Sequence, residues 1–330
     1  MVLSKAERAF VRDGIEQSVR VDGRSREDYR AMILELGVVP QASGSARLRL
    51  GATDVMAAVK ADIGVPSKDT PGEGRLQVAV ELSASADPSF EGRGGEGLGV
   101  DLAKALERSL LGASAGSMTG LSAAPSGERA GGANGVGHGA GAALDMTALG
   151  IQRHKTCWVL QVDALVLNAE GSLLDALSIA IKAALADTKI PQVTAVAGPT
   201  AEDPAELELD DDPEACAHLD VSGVPLIVTL TQVGTHAVVD ATHDEEAHMT
   251  AALSVAVDGK GLVRSVGKSG GGGIDLGVMR AMIRTAQDVG RDLVKAVDAF
   301  LITAEANVRD DDEDDVGDGD RELAEGDFSR

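Results

Sequence analysis

The residues Gly171-Ser172-Leu173-Leu174 stand where a folded chain most readily offers a place for an anion. Upstream, CWVLQVDALVLN (157–168) alternates apolar and polar residues as a strand does. Downstream, Leu173, Leu174, Leu177, Ile181 and Leu185 recur at helical spacing. A strand, a glycine turn and a helix start bring unpaired backbone N–H groups and the positive end of a helix dipole together, which suits a phosphate. The side chains do not supply the matching chemistry. A phosphate site usually adds a cation, whereas two leucines follow Ser172, and Asp175 in the first helical turn complements the dipole and repels a phosphate.

Other stretches offer less. KSGGGGIDLG (268–277) precedes a helix but lacks the Gly-Lys-Ser/Thr ending and the Gly-x-Gly-x-x-Gly spacing of nucleotide loops, so it reads as a flexible connection. HDEEAH sets His243 and His248 five apart, not the four that let two zinc-binding histidines share a helix face, and reads as a charged turn. Asp314, Asp318, Asp320, Glu322 and Glu325 fall at acid positions of a calcium loop, but Val316 takes a ligand position and no apolar helices flank it. No nucleophile elbow, Ser-His-Asp set or cofactor motif is evident, and the sequence predicts neither metal nor cofactor. Arg47 and Arg49 alternate with Leu48 and Leu50 on one strand face. Two readings stand side by side for them: a grip on an RNA backbone, or ordinary solvated charges.

These residues need a scaffold, and 330 residues suffice for two domains or one large one. With 44% hydrophobic but only 2% aromatic residues, the core must be built from Ala, Val, Leu and Ile. No apolar run reaches the roughly 18 residues of a membrane span and no signal core opens the chain, so a soluble, unexported protein is expected. Two cysteines, Cys157 and Cys216, make no disulfide framework and predict a reducing compartment, cytosol or nucleus. The net charge of −23 is concentrated: residues 202–214 carry −8 and residues 305–330 carry −9, leaving −6 for the rest. A local basic face therefore remains compatible with the composition.

Along the chain, SKAE (4–7) is a capping box opening a helix to about Val19, within a lead-in over 1–30. From Met32, ILELGVV, SARLRLG and TDVMAAVKADIG read as strands. RLQVAVELSA (75–84) reads as a half-buried antiparallel strand, and LGVDLAKALERSLLG (98–112) as a helix closed by Gly112. A glycine-rich, disordered insertion is expected at about 113–143; it contains His138, which is no ligand there. This first domain, 31–197, closes with the strand-turn-helix of 157–185 and a strand IPQVTAV. An acidic linker over 198–220 leads to a second domain, 221–304, of four strand candidates and a long helix at 274–302. A disordered acidic tail fills 305–330. Strands then a helix, twice over, predict two related α+β halves.

Taken in order, VDGRSREDYR (21–30), SGSARLRLGATDVMAAVKADIG (43–64), FEGRGGE (90–96), ALERSLLG (105–112), GSLLDALSIAIKAALADTKIP (171–191) and VVDATHDEEA (238–247) resemble the RNase PH superfamily, and within it the ring subunits of the RNA exosome. The resemblance spans about 4–112 and 144–300. It implies an α+β sandwich of two pseudo-symmetric halves with mixed sheets and packed helices. It also implies a place in a six-membered ring of similar subunits under RNA-binding caps, with RNA threading the central channel in nucleus, nucleolus and cytoplasm. Active relatives attack the RNA end with phosphate and carry Gly-Gly-Thr-Arg at the turn, where this chain has Gly171, Ser172, Leu173 and Leu174. Their catalytic aspartate aligns with Ala252, and no acid lies between Ala247 and Val257. The resemblance therefore implies a non-catalytic subunit, the alternative being an active phosphate-dependent 3′-to-5′ exoribonuclease. Arg108 matches an arginine on the phosphate and RNA path of relatives, the second such position being Leu111. Arg47, Lys60 and Arg93 lie in matching segments as candidate RNA contacts, or else as partners of carboxylates in a ring interface.

Overall fold

A computed structural model describes residues 5–111, 144–196, 206–209, 216–314 and 325–327; the glycine-rich 113–143 stretch, most of the calcium-loop pattern and Ser4 of the capping box lie outside the described residues. The chain opens with α1 (Lys5–Glu16), followed by β1 (Met32–Leu36), β2 (Gly44–Leu50), β3 (Thr53–Gly64) and β4 (Arg75–Leu82). After a single 3₁₀ turn come α2 (Gly94–Leu111), β5 (Gly150–Gln152), β6 (Thr156–Asn168) and α3 (Leu173–Ala186). The short strands β7 (Lys189–Pro191), β8 (Val193–Val196), β9 (Glu206–Leu209) and β10 (Cys216–His218) lead to the second half. That half consists of β11 (Leu226–Val233), β12 (His236–Val239), α4 (His243–Glu246), β13 (Ala251–Val257), β14 (Val263–Ser269) and α5 (Leu276–Asp314), and β15 (Glu325–Asp327) ends the described chain.

The first sheet runs β15-β1-β2-β3-β6-β4, with β5 also on β6, and the second runs β12-β11-β13-β14. Strand alternation sets the layers. On β2 and β3, Ala46, Leu48, Leu50, Val55, Ala57 and Val59 are buried, while Arg47, Arg49, Asp54 and Lys60 point away. α3 packs against β2, β3 and β11, so it belongs to both halves, and every residue from Asp175 to Ala186 is buried. A helix apolar all round is what an element enclosed by two sheets requires. Its one buried cation, Lys182, meets Asp298 of α5 at 2.6 Å as an ion pair off the hydrogen-bond direction. One continuous core of Ala, Val, Leu and Ile joins both halves, with Trp158 and three methionines among its few other large members. Each fully buried Leu or Ile contributes about 1.5–3 kcal/mol. α1 is held separately, by Val11 and Ile15 against Val233, Val238 and Ala241. Among the described residues no helix is long and apolar enough to cross a membrane.

Four expectations need correction. β4 is parallel to β6, not antiparallel, because α2 stands between them and a crossover helix returns the chain in the same direction. IPQVTAV is two strands: β7 pairs with β10, and β8 pairs with β9. The acidic 198–220 stretch thus contains β9 and β10; the alternation Glu206-Leu207-Glu208-Leu209 supports a strand despite its charge. The tail is ordered in part, since α5 runs on to Asp314 and β15 pairs with the open edge of β1. Extending an existing helix needs no new nucleus, and an uncovered edge offers free backbone partners.

Candidate functional site

The turn at the start of α3 is built by backbone geometry that only a few residues tolerate. Gly171 has φ +93°, and a Cβ there would lie 2.3 Å from the Ala241 carbonyl oxygen, so glycine is required. Ser172 follows in the left-handed region (φ 53°) as the helix N-cap, and its hydroxyl makes no capping bond. An anion does sit on this helix start, and it is the chain's own: the Ser172 N–H donates to Glu246 Oε1 at 2.8 Å. Burial pushes the Glu246 carboxyl up, with the Ser172 N–H pulling the other way. Leu173 and Leu174 lean on the core. Asp175 lies in the first turn as expected, but it does not face an incoming anion. It is fully buried, and its Oδ2 accepts from the Thr229 N–H at 2.9 Å and the Tyr29 hydroxyl at 3.0 Å. Desolvation raises it to about 7, against the pull of the Thr229 bond.

Around this turn the structure gathers residues to which the sequence assigned no role. Arg20, buried, forks onto Glu245 at 3.0 and 2.6 Å and donates to the Val239 and Asp240 carbonyls. Asp240, fully buried with φ 46°, accepts from Arg24 at 2.9 Å and from Arg30 at 2.7 and 2.9 Å. Arg30 also donates to the carbonyls of Glu170 (2.8 Å) and Gly171 (3.1 Å), and Thr53 Oγ1 donates to the latter at 2.9 Å. The motif segments 21–30 and 238–247 therefore face each other, and the spacing of four arginines in the stretch 20–30 against Asp240 and Glu245 was the signal available. The guanidinium groups of Arg20, Arg24 and Arg30 are committed to the protein's own carboxylates and carbonyls, and that of Arg26 to the His236 ring and the Ser18 hydroxyl.

The four proposed RNA contacts are carried by β2, β3 and α2 with its lead-in. Register puts Arg47 beside Met56 on the outer face of the first sheet, with Lys60 further along the same face. Arg47 is bidentate with Asp54 at 3.0 and 2.7 Å, which raises its pKa further, and Lys60 meets Asp62 at 2.8 Å. Arg93 precedes α2 and Arg108 lies in its last turn, both exposed, without ion pairs among the described residues, and separated by about 22 Å of helix at 1.5 Å per residue. Ala252 is buried on β13 between Thr231 and Ser269. The glycine loop before α5 is pinned by Gly272 N–H to the Thr250 carbonyl (2.9 Å), and Asp275 accepts from the Gly277 N–H at 2.8 Å, so that helix start also carries its own carboxylate. HDEEAH is a helical turn, α4, closed by a Thr242–Glu245 capping box. No group of three or more potential metal ligands gathers among the described residues.

Two family models match this chain: the 3′ exoribonuclease family domain 1 over residues 28–191, and domain 2 of the same family over 223–289. The chain belongs to the RNase PH family of 3′ exoribonucleases. The first matched stretch runs from before β1 to the end of β7, and the second from just before β11 into α5 and includes the 238–247 segment. A Dictyostelium discoideum protein carrying the name exosome complex exonuclease RRP42, qualified there as a provisional designation, is 35% identical over 323 residues, covering 91% of this chain and 98% of its own. The exosome complex component Rrp42 of Pyrococcus furiosus is 29% identical, covering 88% and 92%. Among solved structures, a chain of the Archaeoglobus fulgidus exosome with RNA bound to the active site superposes with a TM-score of 0.67 at 26% identity, covering 88% of this chain and 97% of its own.

Proposed function

We propose that this RNase PH family member is a ring subunit of an exosome-type assembly, supporting 3′-to-5′ RNA processing and decay without phosphorolytic chemistry of its own. Similarity along nearly the full length of Rrp42 proteins supports the ring role. Its partners are then other RNase PH-like subunits in a six-membered ring, RNA-binding caps and RNA in the channel, in nucleus, nucleolus and cytoplasm. Exposed Phe10, Val21, Val65, Leu276 and Ile302 suit a surface that neighbours cover.

The observation that carries the absence of chemistry is the start of α3. Phosphoryl transfer is driven by charge stabilisation and positioning. Here the helix start supplies Leu173 and Leu174, its Ser172 N–H is taken by Glu246, and the nearby Arg20, Arg24 and Arg30 are held by carboxylates. The test is purification of the tagged chain with its partners, followed by an assay for phosphate-dependent release of nucleoside diphosphates from RNA. An exosome-sized complex whose RNA decay is unchanged by Leu174→Arg and by Ala252→Asp supports the proposal. Phosphorolysis by this chain alone, with no ring partners recovered, contradicts it and favours the active exoribonuclease.

A further inference from the structure

Arg26 is the odd member of the four arginines in the stretch 20–30. Arg20, Arg24 and Arg30 are anchored by the carboxylates of Glu245 and Asp240, whereas Arg26 makes no ion pair among the described residues. Its partners are neutral: one guanidinium nitrogen lies 2.7 Å from His236 Nδ1, and another donates to the Ser18 hydroxyl at 2.5 Å. A guanidinium donates and never accepts, so His236 Nδ1 is the acceptor. The ring is therefore neutral, with its proton on Nε2. A second proton, on Nδ1, removes the hydrogen bond and sets two cations at contact distance.

The contact stands where three pieces of chain meet. Ser18 lies in the turn that ends α1, in the left-handed region (φ 60°). His236 opens β12, the edge strand of the second sheet. Between them, the Arg26 carbonyl accepts from the Val239 N–H at 2.8 Å, so the lead-in lies along that edge. The apolar attachment of α1 is small: Val11 and Ile15 against Val233, Val238 and Ala241, apart from the main core. An element held by a satellite cluster opens locally before the rest of the fold, so a single polar tie weighs heavily there.

The other charges around His236 do little to offset a proton. From α1, Arg12 and Glu16 lie against Gly234 in the turn before β12; Arg12 is a further cation, and Glu16 is exposed. The facing residues of β11, Leu230, Thr231, Gln232 and Val233, carry no titratable group. His248, after α4, lies near the same turn. In the lead-in, Glu27 is exposed and Asp28 accepts from the Ser25 N–H, while Asp240, just past β12, is held by Arg24 and Arg30. Exposed carboxylates are screened by solvent, whereas Arg26 sits at hydrogen-bond distance.

We propose that the Arg26–His236 contact is a pH-sensitive latch that holds α1 and the lead-in on the edge of the second sheet and opens when His236 takes a proton. The latch is closed while the ring is neutral. It weakens as pH falls through the range in which histidines titrate, about pH 8 to 5. Opening uncovers Val233, Val238 and Ala241. The device lies outside the α3 turn and does not depend on the ring-subunit reading.

The test uses the full chain. Nitrogen-15 NMR of the His236 ring at about pH 7.5 is expected to show a proton on Nε2 alone. Amide hydrogen exchange, corrected for its intrinsic pH dependence, is then compared at about pH 7.5 and about pH 5.5. The amides of α1 are expected to open about tenfold more often at the lower value, with those of β11 unchanged. His236→Asn keeps an acceptor oxygen close to the Nδ1 position and takes no proton, so it should hold α1 closed at both values. Arg26→Gln removes the cation and should leave α1 equally open at both. Overturning results are a ring proton on Nδ1 at neutral pH, equal α1 protection at the two values in the wild type, a wild-type response in His236→Asn, or loss of β11 protection in step with α1, which marks a global change.

Discussion

Two sets of arginines meet carboxylates in this molecule, in opposite surroundings. At the seam between the halves, Arg20, Arg24 and Arg30 are nearly enclosed with Glu245 and Asp240. On the outer face of the first sheet, Arg47 and Arg49 meet Asp54 with their side chains 28% and 43% exposed. The residue types are the same, and burial separates their roles. An enclosed pair cannot lose a partner without stranding a charge, so it behaves as a rivet. An exposed pair exchanges partners with water, salt or another anion at little cost.

The largest effect should come from breaking the seam. Glu245→Ala strands Arg20 and is expected to lower stability by about 3–5 kcal/mol in chemical denaturation; a loss below about 1 kcal/mol would erase the distinction between the two sets. Next is Asp175, whose carboxyl is raised from 3.8 to about 7 by burial. The unfolded chain releases this proton near pH 4 and the folded chain near pH 7, so folding takes up a proton between those values. The contribution of this group to stability therefore falls as pH rises through that window, by a few kcal/mol at about 1.4 per pH unit, and is flat above it. Asp175→Asn should remove that slope and stabilise the protein at pH 8, as read from melting temperature against pH; a parallel pair of curves would contradict it.

Gly171→Ala is expected to cost about 1–3 kcal/mol or more, because the left-handed turn and the Ala241 carbonyl both resist a Cβ. Smallest is Asp54→Ala on the outer face, with a stability change within about 1 kcal/mol. If these arginines contact RNA, the same variant should strengthen RNA binding at low salt by freeing Arg47, which a filter-binding salt series would register.

Much of the scaffold is legible in the sequence. β6 and α3 follow from two hydrophobic periods meeting at Gly171, and the second half follows from its four alternating runs. What escaped were relations between distant segments. Alternation in 75–84 reveals a strand but carries no direction, and the parallel pairing of β4 depends on where α2 returns the chain. Asp175 was legible as a first-turn acid, but its inward turn depends on Thr229, fifty-four residues away. The Glu246 contact closing the α3 start spans seventy-four residues, and the Arg20–Glu245 rivet spans 225, beyond any local pattern. Arg47 and Arg49 were legible as sharing one strand face, whereas the place of Lys60 on that same face follows from the pairing of β2 with β3.

The most direct test of a closed anion site is a titration of the full chain with inorganic phosphate, followed at the backbone amides of Ser172 to Asp175 by NMR. The account predicts no saturable shift at these amides, in the wild type or in a Leu174→Arg variant that retains Glu246. A saturable shift centred on Ser172 in the wild type would mean that phosphate displaces the Glu246 carboxylate, and that this helix start is a working anion site.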